Sequence, residues 1–176
     1  MFYGSEIAFV LLLLTHSQTN HFSPLYLASV YHHVCMSVFL SFFLVRIVDS
    51  LTLHNNSLAG SIPEELYSLT MLGTLFADRN ELTGTISGSG LRKWAPNMKR
   101  LSLFDNRFSG RIPGQFGRLT NLQVLRLSLN DLTGRIPASM CNLDIGVLTA
   151  DCLTNQVHCT CCSACCNSLD RTCVQN

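Results

Sequence analysis

The chain has 176 residues, of which 47% are hydrophobic and 13% charged, and its formal net charge is +1 at pH 7. A chain of this length forms one modest domain with a thin core. A net charge so close to zero lacks the strongly basic balance typical of nucleic-acid binding, so we predict no nucleic-acid partner.

Residues 1–48 form an apolar leader. No Asp, Glu, Lys or Arg occurs from residue 7 to residue 45, and the stretch contains two apolar blocks, Ile7–Leu14 and Leu25–Val45. The second block is long enough to cross a bilayer as a helix, and the first resembles the core of a signal peptide without its positive flank. We predict an apolar helix that contacts a membrane through residues 25–45. A cleaved signal, an anchor and a misread N-terminus all fit this composition.

Residues 49–152 repeat themselves with a period of about 24 residues. In the first, third and fourth copies two leucines stand two apart, and every copy continues with an asparagine, an apolar residue, a glycine and an isoleucine. Such a period indicates a solenoid, in which each unit buries its apolar face only by stacking on its neighbours. The copies begin at Leu51, Leu75, Leu101 and Leu125, and Val147–Asp151 is a degenerate fifth strand.

The spacing within a copy predicts the role of its residues. Leucines two apart on a short strand point into the core, so the residues between them face outward. An asparagine that follows the strand can satisfy turn backbone in adjacent coils, which predicts a buried asparagine ladder. The glycines fit positions of close backbone approach or unusual φ. The ladder residues are Asn56, Asn80, Asn106 and Asn130, and the glycines are Gly60, Gly84, Gly110 and Gly134.

The second copy departs from the others. Ser87 stands where other copies have proline, and the copy is two residues longer than its neighbours. We expect the extra residues to bulge around Gly88-Ser89-Gly90. Leu91 and Trp94 then take the core positions that Leu66 and Leu69 take in the first copy.

The run Leu-x-Leu-x-x-Asn-x-Leu-x-Gly-x-Ile-Pro resembles the plant-type leucine-rich repeat. That family forms the ectodomains of receptor-like kinases and receptor-like proteins, and also polygalacturonase-inhibitor-like proteins. The resemblance implies an α/β solenoid with a short curved parallel sheet on the concave face and turns and short 3-10 pieces on the convex face. Proteins of this type usually begin with a paired-cysteine cap, whereas Cys35 stands alone here. Either a helix at residues 34–48 covers the first coil, or the start is truncated or misread.

Residues 153–176 form a cysteine-rich C-terminal cap. Eight of the nine cysteines lie from residue 141 onward, an even number that fits a disulfide-bonded end to the repeats. The pairing cannot be deduced from the sequence, and the CxxC spacing leaves zinc as an alternative to disulfides. The region also resembles the ending of secreted or membrane-attached leucine-rich repeat proteins of unicellular algae. The disulfide candidates are Cys141, Cys152, Cys159, Cys161, Cys162, Cys165, Cys166 and Cys173.

The outward positions of the strands predict a concave binding face, with no catalytic residue, no cofactor and no metal site. Two aromatic residues and two arginines on this face match the residue types that dominate interface energetics. We expect a protein, peptide or glycan ligand, and a co-receptor is a further possible partner. The alternative is a structural or adhesive remnant of a longer receptor. The predicted ligand contacts are Thr52, His54, Phe76, Asp78, Arg100, Ser102, Phe104, Arg126 and Ser128.

The apolar leader and the cysteine content both indicate the oxidising secretory pathway, with the protein at the cell membrane or outside the cell. The sequon Asn55-Asn56-Ser57 adds a glycosylation candidate at Asn55. A basic run from Arg92 to Arg135 is interpreted as a solvated face, with an anionic glycan or acidic partner as the alternative. His158 beside Cys159 is weak support for catalysis, because sequence neighbours rarely have the required side-chain geometry.

Overall fold

A computed structural model describes residues 48–154 and 156–175. The predicted apolar helix and the predicted membrane contact through residues 25–45 therefore lie outside the described residues. Within the described ranges, no helix is both long enough and apolar enough to traverse a bilayer.

The described chain is built from short strands and single helical turns. In chain order the strands are β1 (Ser50–Thr52), β2 (Ala59–Gly60), β3 (Thr74–Phe76), β4 (Glu81–Leu82), β5 (Arg100–Ser102), β6 (Ser109–Arg111), β7 (Val124–Arg126), β8 (Asp131–Arg135), β9 (Val147–Ala150), β10 (Val157–His158), β11 (Ala164–Cys166) and β12 (Cys173–Gln175). The α-helices are α1 (Glu64–Tyr67), α2 (Gly88–Trp94) and α3 (Ala138–Cys141), and a 3-10 helix spans Gly114–Arg118.

One strand from each repeat joins a seven-stranded sheet in the order β1-β3-β5-β7-β9-β11-β12. The repeat strands pair in parallel with the leucines in register, for example Leu75 with Leu101 and Leu101 with Leu125. The degenerate fifth strand, β9, pairs with β7 in the same way. The predicted solenoid with a parallel sheet is confirmed.

The opposite side of the coils carries more regular structure than turns alone. The strands β2 and β4 form a small parallel sheet, and β6, β8 and β10 form a second one. Each coil reaches this side at a glycine with positive φ: Gly60 at 90°, Gly84 at 80°, Gly110 at 81° and Gly134 at 97°. At Gly110 a Cβ would approach Thr85 Cγ2 to 2.9 Å, so both unusual φ and close approach favour glycine there.

The core runs through the coils as columns of leucine and isoleucine. The strand leucines Leu75, Leu101 and Leu125 are fully buried. The helical turns close each coil from the other side with larger residues, among them Phe116 and Met140. Each coil therefore buries its apolar residues against its neighbours, as expected for a stack of units too small to fold alone.

Three asparagine side chains form the ladder. Asn106 Nδ2 donates to the carbonyl of Ala77 in the preceding coil at 3.0 Å and to Leu103 in its own coil at 3.2 Å, while its Oδ1 accepts from Leu82 N at 3.0 Å. Asn80 and Asn130 repeat this pattern one coil earlier and one coil later.

Asn56 does not bridge coils. It is exposed, and its hydrogen bonds go to Leu53 and His54 in its own coil. The physical reason is its position in the first of the described repeats, where no earlier repeat carbonyl or amide lies within its reach. The prediction of a ladder role for this residue is therefore wrong in the structure.

The second copy contains a helix where we expected a bulge. Gly88-Ser89-Gly90 is the first turn of α2, and the Ser87 side chain caps it by accepting a hydrogen bond from Gly90 N at 3.1 Å. The extra residues are therefore absorbed as a full helical turn. Leu91 and Trp94 are buried at the predicted core positions.

An aromatic contact makes this helix specific to the second copy. The rings of Tyr67 and Trp94 lie 4.6 Å apart, and the Trp94 indole donates to the carbonyl of Leu66. A Cβ at Gly90 would lie 2.2 Å from the Tyr67 ring, so α2 packs on the preceding coil only with glycine there. Burial raises the pKa of Tyr67 to about 12.

The C-terminal cap continues both sides of the solenoid. β11 adds in parallel to β9, β12 closes the large sheet as an antiparallel edge, and β10 pairs with β8 on the other side. The last repeat therefore has its open backbone groups paired on both faces.

All eight predicted cysteines are joined in disulfide bonds, as expected for the cap. The pairs are Cys141–Cys161, Cys152–Cys165, Cys159–Cys162 and Cys166–Cys173. The first pair links α3 of the last repeat to the cap, and the fourth links β11 to β12. These thiols are consumed as disulfides, so the zinc alternative is wrong for them.

Candidate binding face

The concave sheet presents two parallel columns of outward side chains. Register places Thr52, Phe76, Ser102, Arg126 and Thr149 in the first column. The second column lies two residues further along each coil and contains His54, Asp78, Phe104, Ser128 and Asp151. Turn hydrogen bonds from Asn55 N to Asp78 O and from Arg79 N to Phe104 O hold it in line. Neighbouring strands lie about 4.8 Å apart, so residues of one column can touch the same ligand.

Seven of the nine predicted contact residues are at least partly exposed to solvent. Thr52, His54, Arg100 and Arg126 are exposed, whereas Phe76, Asp78 and Phe104 are half-buried. The face thus combines aromatic rings with charged groups of both signs.

Ser102 and Ser128 are not accessible, although both were predicted as ligand contacts. Each is only 1% exposed. A serine side chain is short, and in register Ser102 stands between Phe76 and Arg126, whose longer side chains flank it. Ser128 Oγ lies 2.9 Å from Thr149 Oγ1 and forms a hydrogen bond with it.

Two arginines of the face are left out of the ion pairs. Among the described residues, ion pairs join Lys93 with Glu64, Arg107 with Glu81, and Arg171 with Asp105. Arg100 and Arg126 take no part in those pairs. Their guanidinium groups are therefore available for an anionic partner.

The cap reaches back to the concave face through Arg171. This residue lies in the turn between β11 and β12. Its guanidinium contacts the carboxylate of Asp105, which follows β5 in the third copy. Leu129, one coil further on, is buried. The cap thereby contacts the edge of the face beside the second column.

Asp151 is the last member of the second column, and its side chain closes the ladder. Its two carboxylate oxygens accept from Leu129 N at 2.9 Å and Asn130 N at 3.0 Å, and the side chain is buried. Burial raises the pKa of Asp151, and the two backbone hydrogen bonds oppose that shift. An acidic residue at the strand end of the last repeat was the available signal for this role.

The neighbouring His158 and Cys159 do not form a base and nucleophile pair. Cys159 is bonded to Cys162, so it cannot serve as a nucleophile for His158. In residues 48–154 and 156–175, no group of three or more His, Cys, Asp or Glu side chains is arranged to hold a metal ion.

Comparisons with known proteins agree with this geometry. The Leucine Rich Repeat family model matches residues 48–69, 97–119 and 121–143, leaving out the second copy with its longer helix. No curated protein matches the chain by sequence. The described chain therefore has the fold of a leucine-rich repeat solenoid with a disulfide-bonded C-terminal cap, and three of its repeats match the family model.

Three solved structures illustrate the similarity. The BIR2 ectodomain from Arabidopsis thaliana is 33% identical, with a TM-score of 0.53 over 65% of this chain and 56% of that one. The Arabidopsis receptor kinase HAESA, in complex with the peptide hormone IDA and the co-receptor SERK1, is 27% identical, with a TM-score of 0.55 over 74% and 24%. A plant ice-binding protein is 32% identical, with a TM-score of 0.53 over 61% and 34%.

The chain spans 56%, 24% and 34% of the lengths of these three proteins. The receptors and the ice-binding protein resemble it to the same degree. The fold therefore identifies a class of repeat proteins, and the function has to be argued from the side chains of this chain.

Proposed function

We propose that this protein is a recognition module that binds a protein, peptide or glycan through the concave face of its repeats. It acts either as a receptor-like ectodomain or as a secreted inhibitor-like protein. The observation that carries the proposal is the presence of Phe76 and Phe104, half-buried aromatic residues in adjacent columns, beside the unpaired Arg100 and Arg126. Aromatic residues and arginine are the residues most often found at the energetic centre of interfaces.

The opposite side of the coils carries residues of another kind than the concave face. On the side of the coils opposite to the face, successive repeats carry Ser61, Thr85, Arg111 and Arg135 after their glycines. The last two members of this column are long and charged, and none of the four is aromatic. The concave face is the side with aromatic anchors.

A binding selection tests the proposal. The oxidised protein is panned against a displayed random-peptide library, and the affinity of recovered peptides is compared between the wild type and a Phe76→Ala/Phe104→Ala variant. We expect the variant to lose about 100-fold or more in affinity, since each buried aromatic anchor contributes about 2 kcal/mol. Met71→Ala is the matched control, because Met71 is an exposed apolar residue outside the columns. Unchanged affinity in the double variant would contradict ligand binding through Phe76 and Phe104.

The cellular context belongs to the same proposal. Four disulfides indicate an oxidising compartment, and we place the protein at the cell surface or outside the cell. Asn55 is exposed and has φ of 55°, so its sequon is sterically open. We expect glycosidase treatment of the secreted protein to shift its mobility. Ser57→Ala should abolish the shift while leaving asparagine at the positive-φ position; a persisting shift would exclude Asn55 as the acceptor.

A further inference from the structure

Ser102 lies near the middle of the concave face with its hydroxyl unused. The side chain is 1% exposed, and Oγ has no hydrogen-bond partner among the described residues. Ser128, equally buried just after β7 in the next coil, has a satisfied hydroxyl, because it forms a hydrogen bond with Thr149. A buried hydroxyl without a partner costs stability, so Ser102 is in an unfavourable state in the free protein.

The neighbours of this hydroxyl supply both charge and apolar surface. Register places Phe76 on one side of Ser102 and Arg126 on the other. Arg100 precedes Ser102 by two residues on the same strand, so its side chain leaves the same face of the sheet. Both arginines are exposed, and neither belongs to the ion pairs of the described residues.

We propose that Ser102, Arg100 and Arg126 form a subsite for the acidic side chain of a peptide segment. The arginines pair with its carboxylate and the Ser102 hydroxyl donates a hydrogen bond to a carboxylate oxygen, which gives all three groups the partner they lack. The apolar residue next to the acidic one packs on Phe76, which is why a peptide fits better than a polyhydroxylated glycan. This inference rests on the proposed function and specifies its ligand chemistry.

Access to the hydroxyl requires only a local change. The Arg126 side chain beside it is long, exposed and free of an ion pair, so it can move as the carboxylate arrives. Of the acidic residues nearby, Asp105 is paired with Arg171 and Asp151 accepts from backbone amides. Asp78, in the second column, belongs to none of the ion pairs of the described residues, so it is the acidic group closest in register that the incoming carboxylate has to avoid.

The first test uses an array of end-capped heptapeptides synthesised in matched pairs that differ only by Glu or Gln beside a Leu or Phe. We expect Glu members to bind about tenfold more tightly than their Gln partners, as for a charge-assisted hydrogen bond. Arg126→Gln should remove this preference. Arg135→Gln is the matched control, an exposed arginine on β8 at the opposite side of the coils, and should keep it. Equal binding of Glu and Gln members, or loss of the preference in both variants, would overturn the subsite.

The second test separates ligand binding from a structural role. Ser102→Ala removes an unsatisfied hydroxyl, so we expect the melting temperature to stay the same or rise while the Glu preference falls about fivefold to tenfold. Ser128→Ala breaks the bond to Thr149, so it should lower the melting temperature and keep the preference. A destabilised Ser102→Ala variant with an intact preference would contradict the proposal.

The outcomes also distinguish this inference from the proposed function. Peptides that bind through Phe76 and Phe104 without any Glu preference would overturn the subsite and leave the recognition function standing. A different result would be that no peptide on the array binds, whereas digalacturonate binds and depends on Arg126. That result would overturn the peptide as the ligand and keep the concave face as the binding surface.

Discussion

The repeat coils and the C-terminal cap stabilise their backbone in different ways. The coils contain no disulfide among the described residues before Cys141 and rely on leucine columns and on the amides of Asn80, Asn106 and Asn130. The cap has few large apolar residues and four disulfides. A unit with a following coil can bury its residues by stacking, whereas the last unit needs covalent restraint and added strands.

The difference also bears on function. The coils provide the open columns of the binding face, and the cap closes the end of the same sheet with β11 and β12. Its Arg171 contact with Asp105 holds the cap turn at the edge of the face. The working surface is therefore set by the side chains of the coils and bounded by the cap.

Removing the covalent link between the two regions has the largest expected effect. Replacing Cys141 and Cys161 with Ala opens a disulfide of sequence separation 20. From the loss of its restraint on the unfolded chain, we expect the free energy of unfolding to fall by about 3 kcal/mol. Replacing Cys166 and Cys173, separated by 7, should cost about 2 kcal/mol. Urea denaturation of the oxidised proteins measures both. A larger loss from the shorter loop would show that chain entropy is not the main contribution.

Substitutions in the asparagine ladder test what stabilises the coils without the cap. Asn106→Ala leaves the buried Leu82 amide without its acceptor and removes a donor from the Ala77 carbonyl, so we expect a loss of about 2–3 kcal/mol. Asn56→Ala removes only bonds within an exposed turn and should cost less than about 0.5 kcal/mol. The free energies of unfolding of the two variants give the comparison. Equal losses would mean that the contacts between coils contribute nothing beyond the local turn.

The smallest expected effect is a pH dependence at the junction of coils and cap. Burial raises the pKa of Asp151 above its ordinary 3.8, so the folded state favours the protonated form. The stability that this group contributes is fully present below its unfolded pKa and is lost as pH rises through the raised folded pKa. Asp151→Asn loses one of the two hydrogen bonds to Leu129 and Asn130 at every pH.

The free energy of unfolding of wild type and Asp151→Asn, measured at about pH 3 and about pH 7, gives the test. We expect the gap between the two proteins to narrow as the pH rises, because only the wild type then carries a buried charge. A gap that widens with pH would show that the backbone hydrogen bonds to the carboxylate outweigh its burial.

The repeats could be predicted from the sequence because each coil position has one physical role. Leucines two apart define the inner face of a strand, and an asparagine after them can satisfy backbone groups on both sides. The coils at Asn80, Asn106 and Asn130 follow that logic. Asn56 has the same local sequence and a different outcome, because the ladder depends on a preceding repeat and not on the residue itself.

The remaining features depend on tertiary context. The helix at Gly88–Trp94 forms because Ser87 caps it and Gly90 admits the Tyr67 ring, a contact between copies that spacing does not reveal. The burial of Ser102 depends on the neighbouring strands' side chains, and the disulfide pairing depends on how the cap strands fold. Outward alternation is therefore necessary but insufficient to predict a ligand contact.

A side-chain footprint on the ligand-bound protein tests the central claim most directly. Hydroxyl-radical labelling, read by mass spectrometry, compares the free protein with its complex with a selected peptide. We expect reduced labelling of Phe76 and Phe104, with unchanged labelling of Met71 and Leu153, which are exposed apolar residues outside the columns. Unchanged labelling of both phenylalanines, with protection elsewhere, would contradict binding through the concave face.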